Sequence, residues 1–324
     1  MSQRPVVSGR GLLLSALWLQ LAFAPPALLA ATPVVAPLPA SLRFACELFS
    51  YGRLHLGAGL LLGTLLAGLL RERRLAALSG VAALLSLAPL LTVPFHVEPE
   101  PTADAVQVRL LQLNVKTESR AYAGVAALLN REEFDVVAFE EVDAAWLQAL
   151  AAQRAGFPFR VEQPRDDNFG IALWSKLPLH RAQVVEVGAR GYATIDAEIE
   201  VGGGRLRVLV AHPPPPIGAR AATERDRQLL GIAALVRGGH RPAVVVGDLN
   251  ATPWCPVFPA MVALGRLQDV PAQRWPLGTW PAALPFGKIW IDHLLPTEGV
   301  VVERLEAGPD VGSDHRPVLA TLRL

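Results

Sequence analysis

Three apolar runs in the first hundred residues limit most sharply what this chain can fold into. Gly11 to Ala31 (GLLLSALWLQLAFAPPALLAA) carries no charge, Leu54 to Leu70 (LHLGAGLLLGTLLAGLL) has only His55 as a titratable group, and Leu75 to Phe95 (LAALSGVAALLSLAPLLTVPF) has none. A helix crosses the hydrocarbon core of a bilayer with about 20 apolar residues, and roughly 17 are enough. The runs therefore predict three transmembrane helices, over 11–31, 54–70 and 75–95, in an anchor covering 1–95. Pro25 and Pro26 would kink the first, which a membrane helix tolerates. The first run also fits a signal peptide, with Arg4 and Arg10 as its basic region and Leu29-Ala30-Ala31 as a loose cleavage site. The two runs that follow argue instead for an uncleaved multi-pass anchor.

Arg71, Arg73 and Arg74 cluster between the second and third runs. Short cytoplasmic loops carry the Lys/Arg excess. Placing this loop inside puts everything after Phe95 outside, in the periplasm or beyond the cell. Arg4 and Arg10 agree with that orientation; Arg43 and Arg53 oppose it mildly. The composition is 52% hydrophobic and 18% charged, with a net charge of +1, and the apolar excess lies in this N-terminal third. No basic surplus points to non-specific nucleic-acid binding. Cys46 and Cys255 form neither a CxxC motif nor a disulfide framework.

A polar, Pro-containing linker, His96 to Ala105, precedes a change of pattern over 106–324. Short apolar runs now alternate with amphipathic stretches. Val106 to Asn114, Phe134 to Phe139, Gly170 to Trp174, Ala182 to Val187, Ala193 to Val201, Arg205 to His212, Ala243 to Gly247, Ile289 to Leu295 and Val300 to Leu305 read as strands. Tyr122 to Arg131, Ala144 to Arg154 and Thr223 to Val236 read as helices. After Pro317, Val318, Ala320, Leu322 and Leu324 alternate with Leu319, Thr321 and Arg323, which predicts a last strand. This is a mixed α/β domain with more strand than a doubly wound parallel sheet contains. Pro213 to Pro216 reads as a stiff loop.

The buried-looking strands end in polar residues. Asn114 closes "LLQLN", Glu140 and Glu141 close "VVAFEE", and His212 closes "VLVAH". Asp248 and Asn250 follow "VVVG", Asp292 interrupts "IWIDHLL", and Asp314 and His315 precede the last strand. Each alone has a plain structural explanation: an Asx turn, a solvated corner, an edge histidine, an exposed ion pair. Asp292 is the hardest to dismiss, since a carboxylate within a strand needs a partner. Together they recur at the strand ends where α/β folds place their sites. Hard oxygen ligands without clustered Cys or His suit Mg²⁺ or Mn²⁺. Such a set fits metal-assisted hydrolysis of a phosphate ester.

In the order "LQLNVK", "FDVVAFEEV", "NFGIALWSKLPL", "VLVAH", "VVVGDLNATPW", "IDHLL" and "GSDHRPV", the chain from Val106 to Leu324 resembles the endonuclease/exonuclease/phosphatase superfamily. That superfamily has the fold of DNase I-like nucleases, sphingomyelinases and inositol polyphosphate 5-phosphatases. The resemblance implies a four-layer sandwich, two face-to-face mixed β-sheets flanked by helices. It implies that Glu141 binds the metal with Asn114 beside it, and that Asp314 is a second metal-side carboxylate. It implies that Asp248 activates the attacking water, Asn250 contacts the phosphate and His212 faces it. Asp292 would orient His315, which would hold the scissile phosphoryl group. Glu140 departs from the family's usual Gln, Lys116 stands where some nucleases have an acid, and "HPPPP" is an unusual loop. Three apolar runs before such a domain look similar to a bacterial membrane-anchored branch that includes glycopeptide-resistance-associated proteins.

The expectation is thus a membrane-anchored, Mg²⁺- or Mn²⁺-dependent phosphoesterase at the outer membrane face. Its substrate would be a phosphate ester or pyrophosphate, with a lipid-linked one in view. A surface nuclease is the first alternative and a non-catalytic membrane scaffold the second. Nothing in the sequence predicts a protein partner.

Overall fold

A computed structural model describes residues 9–29, 38–88, 106–239, 242–270 and 278–324. The expected linker, 96–105, lies outside the described residues, as do the ends of the first and third apolar runs. Two compact units result, one holding the N-terminal helices and the other holding every strand.

The first unit contains α1 (Gly9–Leu29), α2 (Ala40–Tyr51), α3 (Arg53–Leu69) and α4 (Arg73–Leu87). Within α1, Arg10–Leu29 is long and apolar enough to cross a membrane, and the helix runs on through Pro25 and Pro26. The other two expected spans are not borne out. The second run forms α3, 17 residues long, which is not by itself among the described helices long and apolar enough to cross a membrane. It reaches spanning length only if α2, which the sequence reading missed, is counted with it across a 64° bend. The third run provides 15 helical residues in α4, and its remainder falls outside the described residues.

These helices bury many small residues, with Leu17, Leu60 and Leu75 among them, and expose many leucines. Gly57, Gly63, Ala67, Ser79 and Ala83 lie inside the unit, whereas Leu12, Leu19, Leu62, Leu65 and Leu84 point outward. A Cβ added at Gly63 would lie 2.3 Å from the Leu17 side chain, so the bare backbone is what lets α3 approach α1.

The second unit is built on two sheets. The first has the order β10-β11-β1-β2-β4-β3, from β1 (Gln107–Asn114), β2 (Val136–Glu140), β3 (Phe159–Gln163), β4 (Ile171–Ser175), β10 (Val301–Ala307) and β11 (Val318–Arg323). The second has the order β5-β6-β7-β8-β9, from β5 (Leu179–Glu186), β6 (Ala193–Val201), β7 (Gly204–Ala211), β8 (Ala243–Asp248) and β9 (Asp292–Pro296). Each sheet has one parallel pair, β1 with β2 and β7 with β8. The helices are α5 (Tyr122–Arg131), α6 (Ala144–Ala149), α7 (Ala151–Arg154), α8 (Ala219–Gly238) and α9 (Val257–Gly265).

Period two explains the layering. Val108 and Leu110 of β1, Val136 and Ala138 of β2, Val208 and Val210 of β7, and Val244 and Val246 of β8 share one core between the sheets. The alternate residues Leu111, Leu113, Val137 and Phe139 pack outward on Val125 and Leu128 of α5 and Trp146 of α6. On the other side α8 lies on the second sheet, where the Arg207 guanidinium donates to the Leu235 carbonyl at 2.9 Å. The expected mixed α/β architecture of two sheets and flanking helices is borne out. The final strand pairs antiparallel with β1, and Val318, Ala320 and Leu322 enter the shared core as the alternation predicted.

Candidate active site

Four rows of the shared core, on β1, β2, β7 and β8, turn polar at the same end. On β1 the row runs Val108, Leu110, Gln112, Asn114; on β2 it runs Val136, Ala138, Glu140. On β7 it continues past Val208 and Val210 to His212, and on β8 it runs Val244, Val246, Asp248. Strand β9 runs antiparallel to β8 and pairs Asp292 with Asp248, so its first residue joins their last. Strand β11 runs antiparallel to β1, so the segment just before it brings Ser313 to the end of β1, where its hydroxyl donates to the Asn114 carbonyl at 2.7 Å. One polar patch thus closes one end of an apolar sandwich.

Gly247 permits the β8 end of this patch. Its φ is +145°, and an added Cβ would lie 2.0 Å from the Ala211 carbonyl oxygen. Glu141 (φ +58°) and Asn250 (φ +48°) occupy the left-handed region, which costs a residue other than glycine about 1 kcal/mol or more and recurs at functional sites.

The Asp248 carboxylate is the centre. Its Oδ2 lies 3.1 Å from Asn114 Nδ2, 3.6 Å from His212 Nδ1 and 3.6 Å from His315 Nε2. Its Oδ1 accepts from the Asn250 backbone at 3.0 Å. Glu141 Oε1 accepts from Asn114 Nδ2 at 3.0 Å and lies 3.6 Å from His212 Nε2. Asn250 donates to the Pro213 carbonyl at 3.0 Å, which ties the loop after His212 to the site. His315 Nδ1 stands 2.9 Å from Asp292 Oδ2. Seven of the eight expected residues therefore meet. Asp314 does not join them through its carboxylate, which is partly exposed and pairs with Lys116 Nζ at 3.4 Å.

Burial and neighbouring charge set the protonation states. Burial, and then the repulsion of Asp292, push the Asp248 carboxyl up to about 6, against the pull of His315 and His212. Asp292 is buried too, which opposes its ionisation, but the His315 imidazolium and its hydrogen bond outweigh this and hold Asp292 below the usual range. Burial works against the charge on His315, yet Asp292 and Asp248 raise it to about 10. His315 is therefore a cation at neutral pH, with one N–H given to Asp292 and the other turned toward Asp248.

Gln112 is the residue the sequence reading missed. Fully buried, it donates through Nε2 to Glu140 Oε2 at 2.8 Å and to Asp292 Oδ1 at 3.0 Å. It reaches from the first sheet to the second and fixes the carboxylate that orients His315. The signal was available: Gln112 stands two residues before Asn114, on the same strand face.

The donor set fits a hard divalent cation. Glu140, Glu141, Asp248 and Asp292 converge against two histidines, and the Asn114 amide nitrogen lies between two carboxylate oxygens. Ligand atoms of Asp248, Asp292 and His315 lie within 4.8 Å of one another. A divalent ion offsets such an oxygen-rich, partly desolvated cluster.

Sheets, strand-end carboxylates and paired histidines together define a metal-dependent phosphoesterase of the DNase I-like class. The chain belongs to the Endonuclease/Exonuclease/phosphatase family, whose model matches residues 111–315. Among curated proteins none matches the sequence. Three solved structures illustrate the shared fold. Sphingomyelinase C from Streptomyces griseocarneus is 20% identical, covering 66% of this chain and 99% of its own, with a TM-score of 0.50. A beta toxin mutant from Staphylococcus aureus with bound magnesium ions is 17% identical over 66% and 99%, at 0.51. TDP2 from D. rerio, complexed with a single-strand DNA product, is 17% identical over 67% and 98%, at 0.51. The enzyme class is thus a divalent-metal-dependent hydrolase of phosphate ester bonds.

Proposed function

We propose that this protein is a membrane-anchored phosphoesterase that hydrolyses a phosphate ester or pyrophosphate held in or beside a bilayer, at its extracytoplasmic face. The observation that carries the hydrolytic part is the Asp248 carboxylate, buried and flanked at 3.6 Å by His212 and His315. Glu141 and Asn114 would hold Mg²⁺ or Mn²⁺. Bound there, the ion supplies charge neutralisation for the phosphoryl oxygens and the leaving group. Asp248 accepts the proton of the attacking water. The cation of His315, steadied by Asp292, faces the phosphoryl group, and His212 and Asn250 add donors on other sides.

The membrane part is supported by the first unit. Close contacts at small residues such as Gly57 and Gly63, with many leucines outside, are the packing expected where lipid is the solvent. Arg4 and Arg10, before the span Arg10–Leu29 and at its start, support a cytoplasmic N-terminus and hence a catalytic unit on the far side. A net charge of +1 gives no support to a nucleic-acid substrate.

The test is phosphate release from an isoprenyl diphosphate by the full chain, with Mg²⁺ and with chelator. Metal-dependent release that Asp248→Asn lowers by at least about a thousandfold, a loss of about 4 kcal/mol in the barrier, is expected. Full activity in Asp248→Asn would sink the mechanism. A C-terminal reporter found in the cytoplasm would sink the orientation.

A further inference from the structure

In the catalytic unit the three most exposed large apolar side chains among the described residues all lie on two loops beside the site. Ile217 is 87% exposed, Phe286 86% and Leu284 45%. Nothing in the hydrolytic chemistry uses them, and exposed apolar side chains grouped at one place mark an interaction surface.

Both loops are built to hold these side chains out. Ile217 ends the run Pro213–Pro216, which begins at His212. Pro213 and Pro214 are buried, Pro215 and Pro216 are intermediate, and Ile217 is in solvent. Each proline fixes φ near −65°, so the run acts as a short stiff stalk. Its base is tied to the site, since the Pro213 carbonyl accepts from Asn250. Leu284 and Phe286 lie on an excursion closed at its neck by the Trp280–Ile289 bridge. Its near arm is held to the site where the Ala282 backbone donates to the Asp314 carbonyl at 2.7 Å. Residues 283–287 form its exposed tip.

A cation accompanies each tip. Arg220 follows Ile217 by three residues and is 93% exposed in its side chain, with Glu224 as partner. Lys288 follows Phe286 by two, and its ammonium donates to the Leu284 carbonyl. Apolar tips backed by cations are the pattern of a bilayer interface, where the side chain enters the acyl boundary and the cation meets anionic headgroups. The same chain carries α1–α4, the unit read above as lipid-embedded.

We propose that Ile217 and the Leu284–Phe286 tip are a lipid-docking rim that seats the active site on the bilayer surface, so that the substrate is taken as a lipid phosphate from the membrane plane. This rests on the reading of the protein as a membrane-anchored phosphoesterase and adds where it meets the membrane. A soluble phosphate ester needs no rim; a bilayer-borne one is presented by it.

Two measurements test this on the full chain, reconstituted in phosphatidylcholine vesicles containing some phosphatidylglycerol. In a Cys46→Ser background, Cys255 being buried, an environment-sensitive fluorophore is placed through Phe286→Cys, Ile217→Cys or Arg237→Cys. Arg237 lies at the far end of α8, roughly 27 Å along the helix from Ala219 at 1.5 Å per residue. Blue-shifted emission, quenched by lipid-borne quencher, is expected at 286 and 217 and not at 237. Equal, water-like emission at all three sites would overturn the proposal. The double variant Ile217→Ser, Phe286→Ser should keep the parent rate on p-nitrophenyl phosphate and lose at least tenfold on isoprenyl diphosphate in vesicles. Equal retention on both substrates would also overturn it. If the parent chain hydrolyses neither compound, the phosphoesterase reading fails, and the fluorophores alone still decide whether the rim enters lipid.

Discussion

Replacing Glu140 by glutamine should stabilise the protein, and by an amount that depends on pH. Glu140 is fully buried at the end of β2, and burial pushes its carboxyl well above its ordinary 4.5, with Asp292 and Asp248 adding to the rise against the Gln112 hydrogen bond. Its Oε2 accepts from Gln112, while Oε1 has no partner among the described residues. The folded protein holds this proton longer than the unfolded chain does. Folding therefore becomes less favourable by about 1.36 kcal/mol per pH unit as pH rises from 4.5 toward the folded value. At pH 7 the ceiling on this cost is 2.5 units above 4.5, about 3.4 kcal/mol. Glutamine keeps the acceptor for Gln112 and never ionises, but it leaves an amide N–H unpaired, which takes back about 1 kcal/mol. A net gain of at most about 2 kcal/mol remains at pH 7, or up to roughly 4–8 °C in melting temperature for a unit of this size. At pH 5 the ionisation cost shrinks to about 0.7 kcal/mol, and the gain disappears. The assay is thermal unfolding of the full chain in detergent and chelator, followed by the fluorescence of its tryptophans, Trp146 and Trp174 in the catalytic unit being fully buried. A variant no more stable at pH 7 than the parent, or one whose gain is the same at pH 5 and pH 8, would refute the reasoning.

Gln112→Leu should lower kcat by roughly 10–100-fold with KM unchanged, because Asp292 loses a buried hydrogen bond of about 1.5–3 kcal/mol while the substrate-facing groups stay. A parallel change in KM, measured by steady-state kinetics, would speak for a substrate contact instead. Gly247→Ala should destabilise by more than about 3 kcal/mol, since its Cβ has no room beside Ala211; a melting curve like the parent's would contradict this. Arg207 and Asp196 form a buried two-pronged pair at 2.7 and 2.9 Å, far along β6 and β7 from the site. Arg207→Leu should cost about 3–5 kcal/mol by stranding Asp196, visible in the melt, while kcat of the protein that remains folded is retained.

Reading strands from the sequence works here where apolar runs are flanked by clear breaks. The β6 limits, Ala193–Val201, and the α5 limits, Tyr122–Arg131, agree with the residues themselves. Strand β3 was missed because its residues are exposed or half-buried on both faces, so no period of two survives. Helix α9 was missed because VFPAMVALG is short, nearly all apolar and contains a proline. The Ala144–Arg154 helix divides at Leu150 into α6 and α7. In the first unit apolar length alone overestimated the spans, since of the three runs only the first gives a described helix that is by itself long and apolar enough to cross a membrane.

By itself the sequence determined the alternation of β1, β2, β7, β8 and β11 and the polar residues that end the inward rows of the first four, because period two is a local property of extended backbone. It also carried the family order of the motifs. Only the tertiary structure decided which ends meet. The antiparallel placement of β9 and β11 carries Asp292 and His315 to the ends of β8 and β1. It leaves the Asp314 carboxylate with Lys116. It also bridges Gln112 across the sandwich to Asp292. Strand direction and sheet order are set by long-range pairing and core burial, and no local pattern encodes them.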